Sequence, residues 1–381
     1  MKKVAIIKSD ILPLSETFIK EQVLSLQRWQ GKLFGAQLIK DGLPLDDINY
    51  TIYRSERVPW LTNQFRRFHA LFNLPEKSLM KALSDYAPDL IHVHFGTVAV
   101  RCWPSLSQFR IPTIVTLHGY DITTYKKYWK RSKNPVKRFY PERLLKMAQS
   151  PQVHFIAVSE AIRQRAIEYG IPAEKLTVQY IGIDFKKFNV GHIPIEKRKK
   201  RILFVGRLTE KKGVMYLLQA FKDINKEMPD AELVIAGDGH EYQSALRFSK
   251  INNLPVNFLG AISHERVKQE LDKARVFCLP SVCASTGDRE GFGMVILEAQ
   301  ACGVPVVSSA YGGAIEGIID GETGFSFPEK DVSALTNKLL FLLKDEVLLK
   351  AMSKGAPAFV KERFDISKCT SSLEDFYDDL V

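Results

Sequence analysis

Short apolar runs alternate with amphipathic stretches from one end of the chain to the other. The runs lie at 4–8, 90–94, 113–117, 155–158, 202–205, 232–236, 276–279 and 304–308, and most are four to six residues rich in Val and Ile. Gly, Ser or His follows most of them before a helical period sets in, which is the rhythm of buried parallel strands each feeding a covering helix. The predicted class is α/β, with doubly wound, Rossmann-like parallel sheets. Between the fourth and fifth runs the chain reads Asn189-Val-Gly-His-Ile-Pro-Ile-Glu-Lys-Arg-Lys-Lys-Arg201, polar, basic and without period. A domain boundary is expected there, giving an N-terminal domain over 1–188, a linker over 189–200 and a C-terminal domain over 201–366. Over 367–381, Leu373, Phe376, Tyr377 and Leu380 at helical spacing predict a last helix that docks back on the first domain. Two such domains are expected to face each other across a cleft, with the carboxyl ends of both sheets toward it, where open α/β folds bind ligands.

A length of 381 residues fits two cores better than one. Hydrophobic residues at 45% and charged residues at 25% are those of a soluble globular protein, and no apolar run reaches the ~18 residues of a membrane span. The start, Met-Lys-Lys-Val-Ala-Ile-Ile-Lys-Ser-Asp, reads as a first strand and not as a signal peptide, so the expected location is the cytosol. Five scattered cysteines without a C-x-x-C pair argue against a disulfide framework or a zinc site.

The net charge of +11 changes the picture, because it calls for an anionic partner. Over 126–146, Lys-Lys-Tyr-Trp-Lys-Arg-Ser-Lys-Asn-Pro-Val-Lys-Arg-Phe-Tyr-Pro-Glu-Arg-Leu-Leu-Lys mixes cations with aromatics and holds a single acid, Glu142. That mixture suits an anionic bilayer surface and predicts peripheral association with the inner face of the plasma membrane. Phe65-Arg-Arg-Phe-His-Ala-Leu-Phe is a second candidate, and an ordinary solvated basic face is the plainer reading of both. No helix-turn-helix, zinc finger or RNA-binding aromatic pattern accompanies them, so nucleic acid is not expected.

Candidate chemistry concentrates in the second half. Glu290-Gly291-Phe292-Gly293-Met-Val-Ile-Leu-Glu298 places a glycine-rich turn at the start of a helix, with a carboxylate at each end of the segment. Unpaired amides at a helix start face an anion, and Glu298 can accept hydrogen bonds from ribose hydroxyls while Glu290 lies nearer a sugar. Two solvated glutamates flanking a core helix is the bland alternative. After the run 202–205 come Gly206-Arg207-Leu-Thr-Glu-Lys-Lys212-Gly213 and an amphipathic helix, an arrangement suited to clamping a diphosphate between a guanidinium fork and an ammonium. A surface loop with incidental cations is the alternative there. Gly237-Asp-Gly239 closes the next strand and adds a turn that permits close backbone approach.

In order and spacing these segments resemble the retaining glycosyltransferases of family 4, which have the GT-B fold of two Rossmann-like domains. The resemblance rests on Gly206-Arg207-Leu with Lys212-Gly213, on Gly237-Asp238-Gly239, on Glu290 and Glu298, and on Gly312-Gly313-Ala-Ile-Glu316 with Gly321-Glu-Thr-Gly324-Phe. Upstream, Thr116-Leu-His118-Gly119-Tyr-Asp121 and Ile181-Gly-Ile-Asp184 with Phe188 extend it over nearly the whole chain. It implies a nucleoside-diphosphate sugar, UDP-linked first and GDP-linked second, with its diphosphate on Arg207, Lys212 and the helix start at Gly291, Phe292 and Gly293. Glu298 would take the ribose, and Glu290 and His118 would contact the sugar as catalytic residues. A saccharide or lipid-linked saccharide would be the acceptor, with retention of anomeric configuration and with neither metal nor cofactor. Asp121, Gly237 and Gly239 would line the site. On residue grounds alone His118 is as well read as a structural histidine beside a turn, and His92 and His94 as packing or lining residues.

Where many family members carry a glycine pair after the first strand, this chain has Ser9-Asp-Ile-Leu-Pro-Leu-Ser15-Glu-Thr17-Phe, in which Ser15 or Thr17 is expected to cap the first helix and turn amides toward the site. That form, with Gly287-Asp-Arg289 ahead of Glu290, looks most like the branch that builds bacterial exopolysaccharides, including the colanic-acid type. The first loop lacks G-x-G-x-x-G, against a nicotinamide enzyme. A nucleotide-sugar epimerase, which would need no acceptor, and a lapsed nucleotide-binding scaffold are the rival readings. The intact Arg207, Lys212, Glu290 and Glu298 weigh against the scaffold.

Overall fold

The structure is a computed structural model that describes residues 1–13, 16–40, 42–54 and 72–381. They divide into two compact units, Met1–Gly182 with Ile366–Val381, and Ile183–Asp365, each built on one parallel sheet.

In the first unit the strands are β1 (Lys2–Ile11), β2 (Trp29–Leu38), β3 (Tyr50–Ile52), β4 (Leu90–His94), β5 (Thr113–Leu117), β6 (Val153–Ala157) and β7 (Leu176–Val178). Their order is β3-β2-β1-β4-β5-β6-β7, so the winding reverses between β1 and β4. Every residue of β4 and β5 is buried, as strands covered on both faces must be. The second unit repeats the plan with β8 (Arg201–Val205), β9 (Glu232–Ala236), β10 (Val256–Gly260), β11 (Val276–Leu279), β12 (Val306–Ser309) and β13 (Gly324–Phe327). Its order is β10-β9-β8-β11-β12-β13, reversing between β8 and β11. At such reversals the helices leave in opposite directions and open a crevice at the carboxyl ends of the strands.

The division falls at Gly182 and Ile183, upstream of the expected boundary, and the stretch 189–200 is not a free linker. It straps onto the second unit through Arg198, which is 5% exposed. The Arg198 Nη1 group donates to the carbonyls of Leu271 (3.1 Å) and Ala274 (2.9 Å), and its Nε donates to Ile193 (3.0 Å). The Leu271 carbonyl ends the helix His264–Leu271, where a cation is favoured, and the Ala274 carbonyl lies in the turn that follows.

The last helix, Ile366–Leu380, belongs to the first unit. Glu374, 2% exposed, accepts from the backbone amides of Gln27 (2.9 Å), Arg28 (2.7 Å) and Trp29 (3.0 Å) with one oxygen. Three donors compensate the buried charge, while Tyr377 lays its ring edge-on to Trp29 at 5.4 Å. No helix among the described residues is long and apolar enough to cross a membrane.

Candidate functional site

At the winding reversal of the second unit, the segment after β8 is held by two close backbone approaches. Gly237 has φ 141°, and a Cβ there would sit 1.9 Å from the carbonyl oxygen of Gly206, while one on Gly239 would sit 2.3 Å from that of Leu208. Only glycine lets the turn press so near, and the Leu208 amide then donates to the Asp238 carbonyl at 2.9 Å. Gly213, with φ 67°, brings the other end of the loop against the carbonyl of Pro280 after β11, where a Cβ would come within 1.9 Å. The loop 206–213 is thereby fixed at both ends, with Arg207 left exposed.

Lys212 reaches from this loop to Glu290, Nζ to Oε2 at 2.5 Å, with the two side chains 13% and 11% exposed. Ser281 donates its hydroxyl to the same carboxylate at 3.4 Å, and Lys211 pairs with Asp288 at 3.2 Å. Burial by itself would raise the Glu290 carboxyl, but Lys212 above all, then Lys211 and Arg207, outweigh it and hold the group down at about 2. Glu290 is therefore ionised at neutral pH and is not a proton donor.

Gly293, at φ 83°, opens the helix Met294–Ala301, and no side chain caps that helix start. The helix carries Glu298 inward to 8% exposure. Burial pushes this carboxyl up, opposed by His264 and Lys212, so Lys212 is a charge that both glutamates feel. Arg207, Lys211, Lys212 and an uncapped helix start thus stand beside one ionised and one buried carboxyl, a set matched to a diphosphate with hydroxyl groups on either side. The reading of the sequence gave no individual role to Lys211, Asp288, Ser281 or His264. Their signal was faint: adjacent lysines, an acid two residues before Glu290, and a histidine just after the capping Ser263, which accepts from Arg266 N at 3.3 Å.

The histidine loop of the first unit follows β5, one strand from the reversal. His118, at the end of β5, is half-buried, with Phe95 at 4.4 Å and Phe18 at 5.1 Å from its ring. Lys8 lies 4.0 Å over Phe95 and pairs with Glu16 at 2.9 Å. Asp121 is fully buried. It accepts from the amides of Gly96 (2.8 Å), Gly119 (3.0 Å) and His118 (3.2 Å), so it shapes the loop from inside and does not line it. The first helix is Thr17–Leu24 with Glu16 at its cap position and no side-chain cap bond, so Thr17 is not the cap. Ser15 lies outside the described residues.

The basic stretch splits. Trp129 and Tyr140 turn into the core, 1% and 2% exposed, while Tyr128 and Phe139 stand out at 47% and 44%. Lys127, Lys130, Arg131, Lys133, Lys137 and Arg138 are exposed around them. Of the second basic candidate, 65–71 lies outside the described residues.

Comparison with known proteins agrees with this layout. The family model described as Glycosyltransferase Family 4 matches residues 33–187, and the one described as Glycosyl transferases group 1 matches residues 185–359. The amylovoran biosynthesis glycosyltransferase AmsK of Erwinia amylovora is 30% identical over 74% of this chain and 67% of its own. N-acetyl-alpha-D-glucosaminyl L-malate synthase of Bacillus anthracis is 30% identical over 77% of this chain and 75% of its own. Among solved structures, HepE of Anabaena, determined with UDP and glucose, superposes over 99% of this chain and 100% of its own with a TM-score of 0.80 at 20% identity. The chain has the GT-B fold and belongs to glycosyltransferase family 4.

Proposed function

We propose that the protein moves a sugar from a nucleoside-diphosphate donor, UDP-linked before GDP-linked, to a saccharide or lipid-linked saccharide during synthesis of a surface or exopolysaccharide. The carrying observation is the Lys212–Glu290 pair at the β8/β11 reversal, with Arg207 exposed beside it and an uncapped helix start nearby. HepE, with its bound UDP and glucose, supports the donor class, and AmsK, with its role in amylovoran biosynthesis, supports the polymer. In this reading the diphosphate leaves onto Arg207, Lys212 and the amides at Gly291–Gly293. These fixed charges meet the negative charge as it develops, and the chemistry calls for no metal. Glu298 receives the ribose hydroxyls. Glu290, its carboxylate tied to Lys212, serves as an acceptor for sugar hydroxyls and not as a nucleophile. The configuration is retained by attack on the face from which the diphosphate departs, with a phosphate oxygen taking the acceptor's proton.

Glu298→Gln is the test on the donor. It should lower kcat/KM for the nucleotide sugar at least tenfold, because a charge-assisted bond to a hydroxyl, worth about 1.5–3 kcal/mol, is lost from a folded protein. Release of nucleoside diphosphate from UDP-glucose, UDP-galactose, UDP-N-acetylglucosamine and GDP-mannose reads it out, and unaltered kinetics would remove Glu298 from the site.

The exposed part of 126–146 supports peripheral docking on an anionic bilayer, with Tyr128 and Phe139 at the boundary and the cations toward the head groups. Lys127, Lys130, Arg131 and Lys137, all changed to Ser, should weaken sedimentation with phosphatidylglycerol vesicles by roughly a hundredfold or more, at about 1 kcal/mol per charge. Unchanged sedimentation would return the stretch to a solvated face.

A further inference from the structure

Three histidines of the first unit form a stack that the reaction described so far does not use. His92 and His94, on β4, are 0% and 1% exposed. Their rings lie 4.6 Å apart at 25°, and those of His94 and His118 lie 5.3 Å apart at 25°. The far end is anchored, since His92 Nδ1 meets the Tyr377 hydroxyl at 2.5 Å and its Nε2 meets Thr116 Oγ1 at 2.6 Å. At the near end His94 Nδ1 and His118 Nε2 are 3.0 Å apart. The remaining nitrogen of His94, Nε2, is buried without a partner among the described residues.

We infer that His94 is a positioning residue that fixes the tautomer of His118, so that His118 presents an Nδ1–H donor to the donor sugar. The inference rests on the reading that His118 contacts that sugar. One proton must lie between His94 Nδ1 and His118 Nε2, and the unpartnered nitrogen decides which ring supplies it. If His94 carried its proton on Nε2, a buried N–H would be orphaned, a rarer and costlier state than a bare ring lone pair in the same place. The His94 proton therefore sits on Nδ1 and is donated to His118 Nε2. His118, neutral because burial and the nearby Lys8 oppose its charging, keeps its own proton on Nδ1. No described residue hydrogen-bonds that nitrogen, and the stack through His92 leaves the His94 ring no other orientation that keeps both contacts.

The tautomer is directly observable. In protein labelled with 15N-histidine, long-range 1H–15N spectra at pH 7.5 should show His118 protonated at Nδ1 and bare at Nε2, with His118→Asn giving the assignment. Protonation at Nε2 would overturn the inference. Kinetics give the second arm, read as release of UDP from UDP-glucose or UDP-N-acetylglucosamine, or of GDP from GDP-mannose. His94→Leu should lower kcat at least tenfold with KM for the nucleotide sugar held within about twofold. His94→Asn, whose amide N–H falls near the position of Nδ1, should restore most of the loss. Full activity of His118→Ala would instead sink the role of His118 in the reaction, whatever the tautomer, so the two failures are distinct.

Discussion

Lys212→Met is expected to lower turnover of the nucleotide sugar by roughly a hundredfold or more and to lower the melting temperature of the second unit by several degrees. The two losses have different origins. The Lys212 ammonium lies against a carboxylate that is only 11% exposed, and removing it leaves that charge uncompensated. Breaking such a pair costs about 3–5 kcal/mol in a dry interior, and somewhat less here because Lys211 and Arg207 still act on Glu290. A second change, Glu290→Gln in the Lys212→Met background, removes the stranded charge and should restore the melting temperature. It should not restore turnover, because in the proposed reading the diphosphate has still lost its cation. Melting and kinetics on the two variants check this, and a double variant that recovered both would mean that Lys212 serves only the fold.

Acid should destabilise the first unit well before ordinary carboxylates titrate. Burial holds His92 down at about 3 and His94 well below its usual value, so both are neutral when folded and protonate near 6.5 when unfolded. Below that pH the unfolded chain binds more protons. Their contribution is fully present above about pH 6.5 and is lost as pH falls toward the folded values. Two such groups remove about 2–3 kcal/mol between pH 7.5 and 5.5, at 1.36 kcal/mol per unit for each. His118 and His154, also lowered by burial, add in the same direction. The Glu290 shift spans a window below pH 4.5 and contributes nothing there. Urea midpoints measured across this range should fall steeply in the wild type and less steeply in His92→Gln, and a flat profile would contradict the buried neutral stack.

What was legible in the chain follows from the range of each interaction. Strands such as β4, β5 and β9 announce themselves because burial on both faces demands an apolar run. β2 does not, because Gly35 must lie where the Ile11 side chain packs against it, so the strand Trp-Gln-Gly-Lys-Leu-Phe-Gly-Ala-Gln-Leu carries no continuous apolar run. β3 and β7, three residues each, and the half-buried edge strand β10 carry too little pattern. Arg198 looked like part of a linker because the carbonyls it serves, those of Leu271 and Ala274, lie 73 and 76 residues further on. In the site, spacing pointed to Arg207, Lys212, Glu290 and Glu298. The pairing of Lys212 with Glu290 across 78 residues, and the inward turn of Asp121, depend on how loops close, which no local spacing encodes.

The central claim is that the loop 206–213 and the helix start at Gly293 form a nucleoside-diphosphate site, and titration calorimetry with UDP, then GDP, tests it most directly. The account predicts that one of them binds the wild-type protein with one site per chain and binds Arg207→Ala and Lys212→Met at least tenfold more weakly. Absence of binding by either nucleotide to the wild type, or equal affinity in the variants, would contradict it.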